Sequence, residues 1–422
     1  MRSIYFLYIF LICFCFGFFA LEARELSIKQ IEERKQADLE RLKEREKRGN
    51  KKFSKEITLS TKLIFLSMER KTPAVLSNLD PILDDEGFYG VKLAIEDNLT
   101  TGRFVGHDYK AEFHRVLLNE NLKSEFQKLL NQGNKFFIVD LNEKELKTLF
   151  ETSNSEEFLI FNVRSKADSL RNDNCKKNLL HVPPSYSMLA DALTQYLVKK
   201  KWNKWFLVTG PDENDRKYAD ALKKSAKKFN IKIKKEKVWD FSADLRRTAG
   251  KEVPIFTKGE KYDVLVVADE KGEFGEYLTY RTWDPRPIVG TQGLTPTSWH
   301  RTHEQWGATQ MQNRFRRESG RWMTEVDYHA WTAVRSIGEA ITRTSSNDLK
   351  DVRKYLLGEK FGLGAYKGVK VSFRSWNGQM RQPILLAAPR SMVSVSPQEG
   401  YIHPDSELDT MGKDQPESTC KF

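Results

Sequence analysis

Residues Tyr280 to Trp299 read YRTWDPRPIVGTQGLTPTSW and concentrate guanidinium and indole groups around a short expected strand, Pro287 to Val289. Arg281 and Arg286 offer planar donors that pair bidentately with carboxylates, and Trp283 and Trp299 offer faces on which a conjugated ring or a guanidinium stacks. Gln292 follows the strand beside Gly290 and Thr291. This set suits a flat, anionic, conjugated ligand; the alternative is a structural Arg–Trp stack on the surface. Other candidates follow expected strands. Asp269 and Glu270 come directly after the apolar run Tyr262 to Ala268, where Glu270 can set the polarity of a site and Asp269 can instead cap a helix. Asn162 and Arg164 close the run Phe158 to Val163, and Arg70 follows Lys62 to Ser67. Tyr186 opens a helix after Pro183-Pro184-Ser185, where free amides favour anions.

These residues must be positioned by alternating strands and helices. Expected helices are Asp85 to Asn98, Lys123 to Asn131, Glu143 to Phe150, Tyr186 to Lys200, Asn214 to Phe229, Thr324 to Arg343 and Asn347 to Leu357. Expected strands include Tyr109 to Leu117, Lys135 to Val139, Trp205 to Val208 and Lys232 to Trp239, with a closing pair at Gly368 to Phe373 and Pro383 to Ala388. Such alternation specifies an α/β fold of mostly parallel sheets flanked by helices. The strands are too many for one comfortable sheet, so two lobes are expected. In open α/β sheets ligands sit beyond the carboxyl ends of the strands, which places a shared cleft between the lobes.

The expected organisation is an export signal over 1–23, a charged helical tether over 24–56, and the first part of lobe 1 over 57–181. The first part of lobe 2 covers 182–300, the return to lobe 1 covers 301–345, and completion of lobe 2 with the hinge covers 346–390. A tail packed on the body covers 391–422. Arg2 followed by an apolar run from Ile4 to Leu21 has the layout of a secretory signal, with an uncleaved anchor as the alternative. From Arg24 to Glu56 the chain carries twelve Lys or Arg and eight Asp or Glu on a thin apolar stripe, which reads as a spacer or a docking arm. Export removes Cys13 and Cys15 and leaves Cys175 and Cys420, an even pair expected to bridge the tail to the body; two inert thiols are the alternative.

Composition narrows the class. The 422 residues are long enough for a substantial core, and 26 Phe, 14 Tyr and 9 Trp exclude wholesale disorder. The net charge of +12 raises nucleic acid as a partner, but export and the spread of Lys over helix faces argue against it. No Gly-x-Ser-x-Gly elbow or phosphate loop is present, and Gly362 to Gly368 precedes a strand and reads as a turn. His300 and His303 lack the further ligands of a zinc set. No enzyme, metal or intrinsic cofactor is expected.

The two-lobe order, Asp327-Tyr328-His329-Ala330-Trp331, and Val371-Ser-Phe-Arg374-Ser-Trp376-Asn-Gly378-Gln resemble a type I periplasmic substrate-binding protein of the leucine/isoleucine/valine-receptor-like class, which serves ABC-type uptake systems. Asp97 to Phe104, Leu245 to Thr257, RTWDPRPIVGTQGL, FRSWNGQMRQPILL and LDTMGKDQPESTC resemble a subgroup associated with pyrroloquinoline-quinone-dependent alcohol dehydrogenase systems. The resemblance spans Thr61 to Cys420. It implies a periplasmic protein that binds a small anionic ligand, pyrroloquinoline quinone being a candidate, by lobe closure, and hands it to an ABC permease. Arg164, Arg281 and Arg286 would hold carboxylates, and Trp283 or Trp299 would stack. The class usually has a small Ser/Thr loop after a first-lobe strand; here Asp140-Leu141-Asn142-Glu143 is acidic and bulky, which argues against a branched-chain amino acid. The alternative function is an accessory or cofactor-delivery protein that docks a quinoprotein dehydrogenase.

Overall fold

A computed structural model describes residues 55–71, 82–152, 157–239 and 245–420. The expected signal over 1–23 and nearly all of the tether over 24–56 lie outside the described residues. Ile57–Phe422 forms one compact unit.

Strands β1 (Leu59–Met68), β2 (His107–Val116), β3 (Phe136–Asp140), β4 (Leu159–Asn162) and β5 (Leu179–His181) form a parallel sheet in the order β2-β1-β3-β4-β5. Successive side chains on a strand point to opposite faces. Leu63 and Phe65 of β1 therefore join the core under helices α1 (Phe88–Val105) and α9 (Glu325–Thr344), whereas Ile64 and Leu66 join the core under α2 (Leu122–Asn131) and α3 (Glu143–Thr152). A sheet covered on both faces needs continuous apolar strands, as β3 and β4 are.

The second sheet is also parallel. It holds β6 (Lys204–Thr209), β7 (Lys232–Val238), β8 (Val264–Ala268) and β9 (Ile288–Gly290) in the order β7-β6-β8-β9. Helices α4 (Tyr186–Lys199) and α5 (Glu213–Lys228) cover one face; α6 (Leu245–Thr257) and α7 (Gly275–Leu278) cover the other. Edge strand β7 carries Lys232, Lys234, Lys235 and Lys237, which discourages pairing with a further strand.

The end of the chain departs from the expected organisation. Strand β12 (Lys370–Phe373) pairs with β11 (Leu363–Gly364) and β13 (Met380–Arg381), while β14 (Ile384–Ala388) pairs with β10 (Thr295–Thr297) and β15 (Ser391–Ser396). The closing pair Gly368 to Phe373 and Pro383 to Ala388 thus belongs to two different sheets. The reason is a crossing of the chain between lobes at Gln382-Pro383. For the same reason the stretch 346–390 does not simply complete lobe 2. Leu349, Val352 and Leu356 of α10 (Leu349–Leu356), with Val371, Phe373 and Met380, pack in the first-lobe core, whereas Ile384 and Leu386 pack in the second. Strand β15 has no counterpart among the expected elements, and helix α8 (Ala308–Ser319) carries Arg314, Arg316 and Arg317, a cluster expected on a solvated helix surface.

Among the described residues three chain segments join the lobes: one after β5, one at Ser298 after β10, and Gln382-Pro383. Their buried carbonyls lack sheet partners and are served by side chains. Lys367 Nζ donates to Pro383 O (2.8 Å) and Gln382 Oε1 (2.9 Å), and Gln382 Nε2 donates to Val182 O (2.6 Å). Arg171 and Gln379 both donate to Pro183 O, at 3.1 and 3.0 Å. Burial pushes the Lys367 ammonium down to about 7, with Glu325 working the other way.

Helices α1 and α9 touch where side chains are missing. A Cβ on Gly90 would lie 2.1 Å from the Asp327 carbonyl oxygen, a backbone atom with little room to retreat. Gly90→Ala is expected to cost about 1–3 kcal/mol, the usual range for overpacking, read as a lower urea midpoint with unchanged slope.

Candidate functional site

The carboxyl ends of β1, β3 and β4 bring together the first group of polar residues. Asp140 ends β3, Arg164 lies just past β4, and Arg70 lies just past β1. Arg164 Nε pairs with Asp140 Oδ1, its Nη2 lies 3.1 Å from Asp140 Oδ2 and 2.6 Å from Glu86 Oε2, and Arg70 Nη2 lies 3.0 Å from Asp140 Oδ1. Burial opposes ionisation of Asp140, but the two guanidinium groups outweigh it and hold its pKa below the ordinary value. Burial likewise disfavours the Arg164 cation, and Asp140 and Glu86 overcome it to raise its pKa. Two cations and two anions make this rim neutral by itself. Asn162 is fully occupied: Oδ1 accepts from the Arg164 and Ser165 amides (3.1 and 2.8 Å), while Nδ2 donates to Ser165 O (2.8 Å) and lies 3.2 Å from His181 Nδ1. It shapes the turn that presents Arg164.

A second group spans the junction of the lobes. Tyr186, at the start of α4, donates through its hydroxyl to Glu270 Oε2 (3.2 Å), just past β8. Lys166 Nζ lies 3.4 Å from Glu325 Oε2 and 4.0 Å from Glu270 Oε2. Burial opposes the Lys166 charge, and Glu270 and Glu325 outweigh it, so its pKa rises. Burial and the Glu270 charge both raise the pKa of Tyr186, which stays a neutral donor. Tyr218 of α5 packs beside Tyr186, its ring centroid 5.7 Å away, and its buried hydroxyl has no hydrogen-bond partner.

Glu325 also accepts from the Ser298 amide (2.7 Å), and Ser298 Oγ lies 2.6 Å from His329 Nε2. Burial lowers the His329 pKa to about 3, against the pull of Glu325. The neutral ring donates through Nδ1 to Val163 O (2.9 Å), so Nε2 and Glu325 Oε1, which lies 2.9 Å from Ser298 Oγ, are both acceptors for the one serine proton. Ser298 and His329 are 0% and 1% exposed. A nucleophile sealed in that way meets no substrate, so this Ser–His pair fixes the crossing at Ser298.

The facing first turns of α3 and α5 are tied directly. Lys217 Nζ lies 2.5 Å from Glu143 Oε2 and 2.8 Å from Glu213 Oε1, and Lys144 lies 3.3 Å from Glu213. Glu143 also accepts from Lys147 (2.6 Å) and Ser169 (2.5 Å). Burial would raise the Glu143 pKa; its hydrogen bonds to Lys147 and Lys217 prevail and bring it from 4.5 down to about 2. Burial raises Asp215 to about 6, although its Oδ1 accepts from the Glu270 amide at 2.7 Å.

Arg70, Asn162 and Arg164 thus converge on one rim, and Tyr186 and Glu270 meet across the junction. The Arg–Trp segment does not join them. Trp283 N donates to Thr257 Oγ1 (2.8 Å) at the end of α6, and Pro287 O accepts from Leu265 near the start of β8. Arg281, Trp283 and Arg286 therefore sit at the amino end of the second sheet, opposite Glu270. Trp283 is 53% exposed, with Lys258 over its ring, and Arg281 and Arg286 are exposed. Trp299 is buried in the first-lobe core, stacked on Tyr328 at 4.5 Å, and has no open face for a ligand. Gln292 follows β9 and packs against Gly275. Asp269 caps the turn into α7, accepting from the Glu273, Phe274 and Gly275 amides. His303 spends Nε2 on Tyr366 O (2.7 Å).

Lys166, Tyr218, Glu325 and the Glu143–Lys217 link had no signal of their own in the sequence. Asp140 did: its acidic loop is the departure from the small-residue pattern.

Residues 119–246, less than half of the chain, match the sequence profile of the family described as Periplasmic binding protein. A search of curated proteins found no matching relative. Among solved structures, a branched-chain amino acid ABC transporter periplasmic ligand-binding protein from Burkholderia xenovorans aligns with TM-score 0.66 at 15% identity, over 85% of this chain and 99% of its own. A periplasmic binding protein from Burkholderia mallei aligns with TM-score 0.62 at 16% identity, over 86% and 98%. A solute-binding protein from R. palustris, solved with benzoate, aligns with TM-score 0.62 at 12% identity, over 86% and 100%.

The Glu143 pKa carries a pH prediction. A carboxylate whose folded pKa is depressed contributes stability above its unfolded pKa and loses it as pH falls through the folded one. Wild-type stability should therefore fall between pH 4.5 and about 2, and less steeply in Lys217→Met, as followed by denaturant titration at each pH. Equal slopes would remove the cross-cleft ion pair from the acid response. With the two sheets, the crossings and the cleft, the chain has the two-lobed fold of the type I periplasmic binding proteins.

Proposed function

We propose that this chain is the periplasmic solute-binding component of an ABC-type uptake system and closes its lobes over a small molecule. The observation that carries this reading is the meeting of Tyr186, Glu270, Lys166 and Glu325 where the carboxyl ends of two parallel sheets face each other across a three-stranded hinge. A ligand that binds the closed form better shifts the population towards it.

The finer reading, a link to pyrroloquinoline-quinone-dependent alcohol oxidation, rests on segment resemblance. Geometry qualifies it. Arg70 and Arg164 are the cationic groups at the rim suited to an anionic ligand, and both are paired with Asp140. A tricarboxylate has to compete with Asp140 and Glu86 for them.

The second reading, an accessory protein that docks a quinoprotein dehydrogenase, is favoured by one observation. The Arg–Trp segment faces outward, with Tyr280 100% and Trp283 53% exposed. Trp, Tyr and Arg dominate the energetics of protein interfaces.

Calorimetric titration with pyrroloquinoline quinone, leucine and benzoate separates the readings. The transport reading expects saturable binding of a small molecule, weakened about tenfold or more by Glu270→Gln, as for loss of a charged hydrogen bond, and unchanged in Trp283→Ala. Failure of all three ligands, with capture of a dehydrogenase that Trp283→Ala abolishes, would replace it with the accessory reading.

A further inference from the structure

We propose that the C-terminal segment 398–420 is a strap that crosses the lobe junction and limits how far the lobes open. The proposal concerns only lobe motion, so it holds for either reading of function.

The segment begins on the second lobe. Gln398 N donates to Gln195 Oε1 (3.0 Å), and Gln195 Nε2 donates to Thr410 Oγ1 (3.2 Å), both from α4. Met411 is buried in the second-lobe core. Gly412 N donates to Asp191 Oδ2 (2.9 Å), and Lys228 of α5 reaches the same carboxylate at 2.8 Å and Gly412 O at 3.3 Å.

It ends on the first lobe. Cys420 is disulfide-bonded to Cys175, which lies between the first-lobe strands β4 and β5. Thr419 N donates to Asn172 Oδ1 (2.9 Å), and its hydroxyl donates to Asp173 Oδ1 (2.7 Å).

Between these anchors lies a buried ion cluster. Asp409, 1% exposed, accepts from Arg374 Nε (2.7 Å), just past the first-lobe strand β12, and from Arg381 Nε (2.6 Å), the last residue of β13. Arg374 also donates to Met411 O (2.9 Å) and Lys413 O (3.1 Å). The Trp376 ring lies 5.4 Å from one guanidinium and 5.1 Å from the other. A carboxylate carried by a second-lobe segment is thus held by two first-lobe arginines. Separating them would strand buried charge, which is costly.

The strap is a fourth connection, and it closes on a covalent bond. Gly412 and Cys420 are eight Cα-to-Cα steps apart, so the full reach of the segment is roughly 27 Å at the extended-chain limit. A turn of 3-10 helix at Gln415–Glu417, closed by a capping box with Asp414, takes up part of that length. Opening at this point must break the Asp409 cluster, and the disulfide then stops the lobes once this turn is drawn out.

The test uses full chains in a Lys217→Met background, which frees the cross-cleft ion pair. One set carries Cys175→Ser with Cys420→Ser. A second keeps the disulfide and inserts a Gly-Ser pair repeated three times between Lys413 and Asp414. Small-angle scattering reads the radius of gyration, and circular dichroism checks folding. The strap predicts a larger radius of gyration in both sets than in Lys217→Met alone. Unchanged scattering in the folded insertion chain overturns the proposal, and a lower melting temperature of the cysteine-free chain with unchanged scattering reduces the disulfide to a stability staple. If the cysteine-free chain does not fold, the insertion chain decides alone.

Discussion

Any protein that hinges between two α/β layers must run chain through its middle, and that chain brings carbonyl oxygens with no strand to pair them. Burying such a group unpaired costs about 1–3 kcal/mol, so the hinge has to supply donors. Here the donors are Lys367, Gln379 and Arg171 of the first lobe and Gln382 of the crossing itself, which serve Val182, Pro183 and Pro383. Lys367 shows how tightly this is drawn. Its amine sits in a site that disfavours the charged form, yet a neutral amine still has two N–H bonds for Gln382 and Pro383. The hinge therefore keeps its hydrogen bonds through the titration of its own lysine.

The same economy of charge runs through the cleft. A small-residue loop after β3 would leave Arg70 and Arg164 free to meet an incoming anion. Asp140 occupies that place and takes both guanidinium groups, with Glu86 as fourth member. What remains unmatched lies deeper, where Lys166 stands between two carboxylates and Tyr218 has a hydroxyl without a partner. Buried polar atoms of native proteins nearly always find partners, so under the proposed reading the orphan beside Glu270 and Tyr186 is a place where a ligand's polar group would gain a hydrogen bond. Under the proposed solute-binding reading, ligand selection would depend on the junction more than on the arginine rim.

Much of the fold was legible because burial writes itself into strands. Phe136 to Val139 and Val264 to Ala268 are apolar without interruption, and only a sheet covered on both faces requires that. Arg70, Arg164 and Glu270 were legible for a related reason: each follows a strand, and the carboxyl ends of the strands face the cleft. Arg281, Trp283 and Arg286 precede β9, so the same rule sends them to the opposite end. Their density drew the eye, and their position relative to the strand carried the information. Trp299 was misplaced for another reason. It lies beyond the crossing at Ser298, and nothing in the local pattern marks where the chain leaves one lobe for the other. Glu143–Lys217 and Lys166–Glu325 join residues 74 and 159 positions apart, and each member alone looks like a solvated helix or loop charge.

Crossings also explain why the stretch from Leu349 to Cys420 resisted sequence reading. Between Leu349 and Cys420 the chain builds on the first lobe, passes through Gln382-Pro383 to the second, and returns with the tail. Each piece is short, because every crossing interrupts the periodicity that longer elements would show. Three charged side chains of this stretch are deeply buried: Lys367, Arg374 and Asp409 are each 2% exposed or less. Charged groups at such depth persist only where geometry holds them in pairs or networks, and that geometry exists only when both lobes and the tail are in place. The ion cluster at Asp409 therefore makes docking of the tail and registration of the lobes parts of one cooperative event.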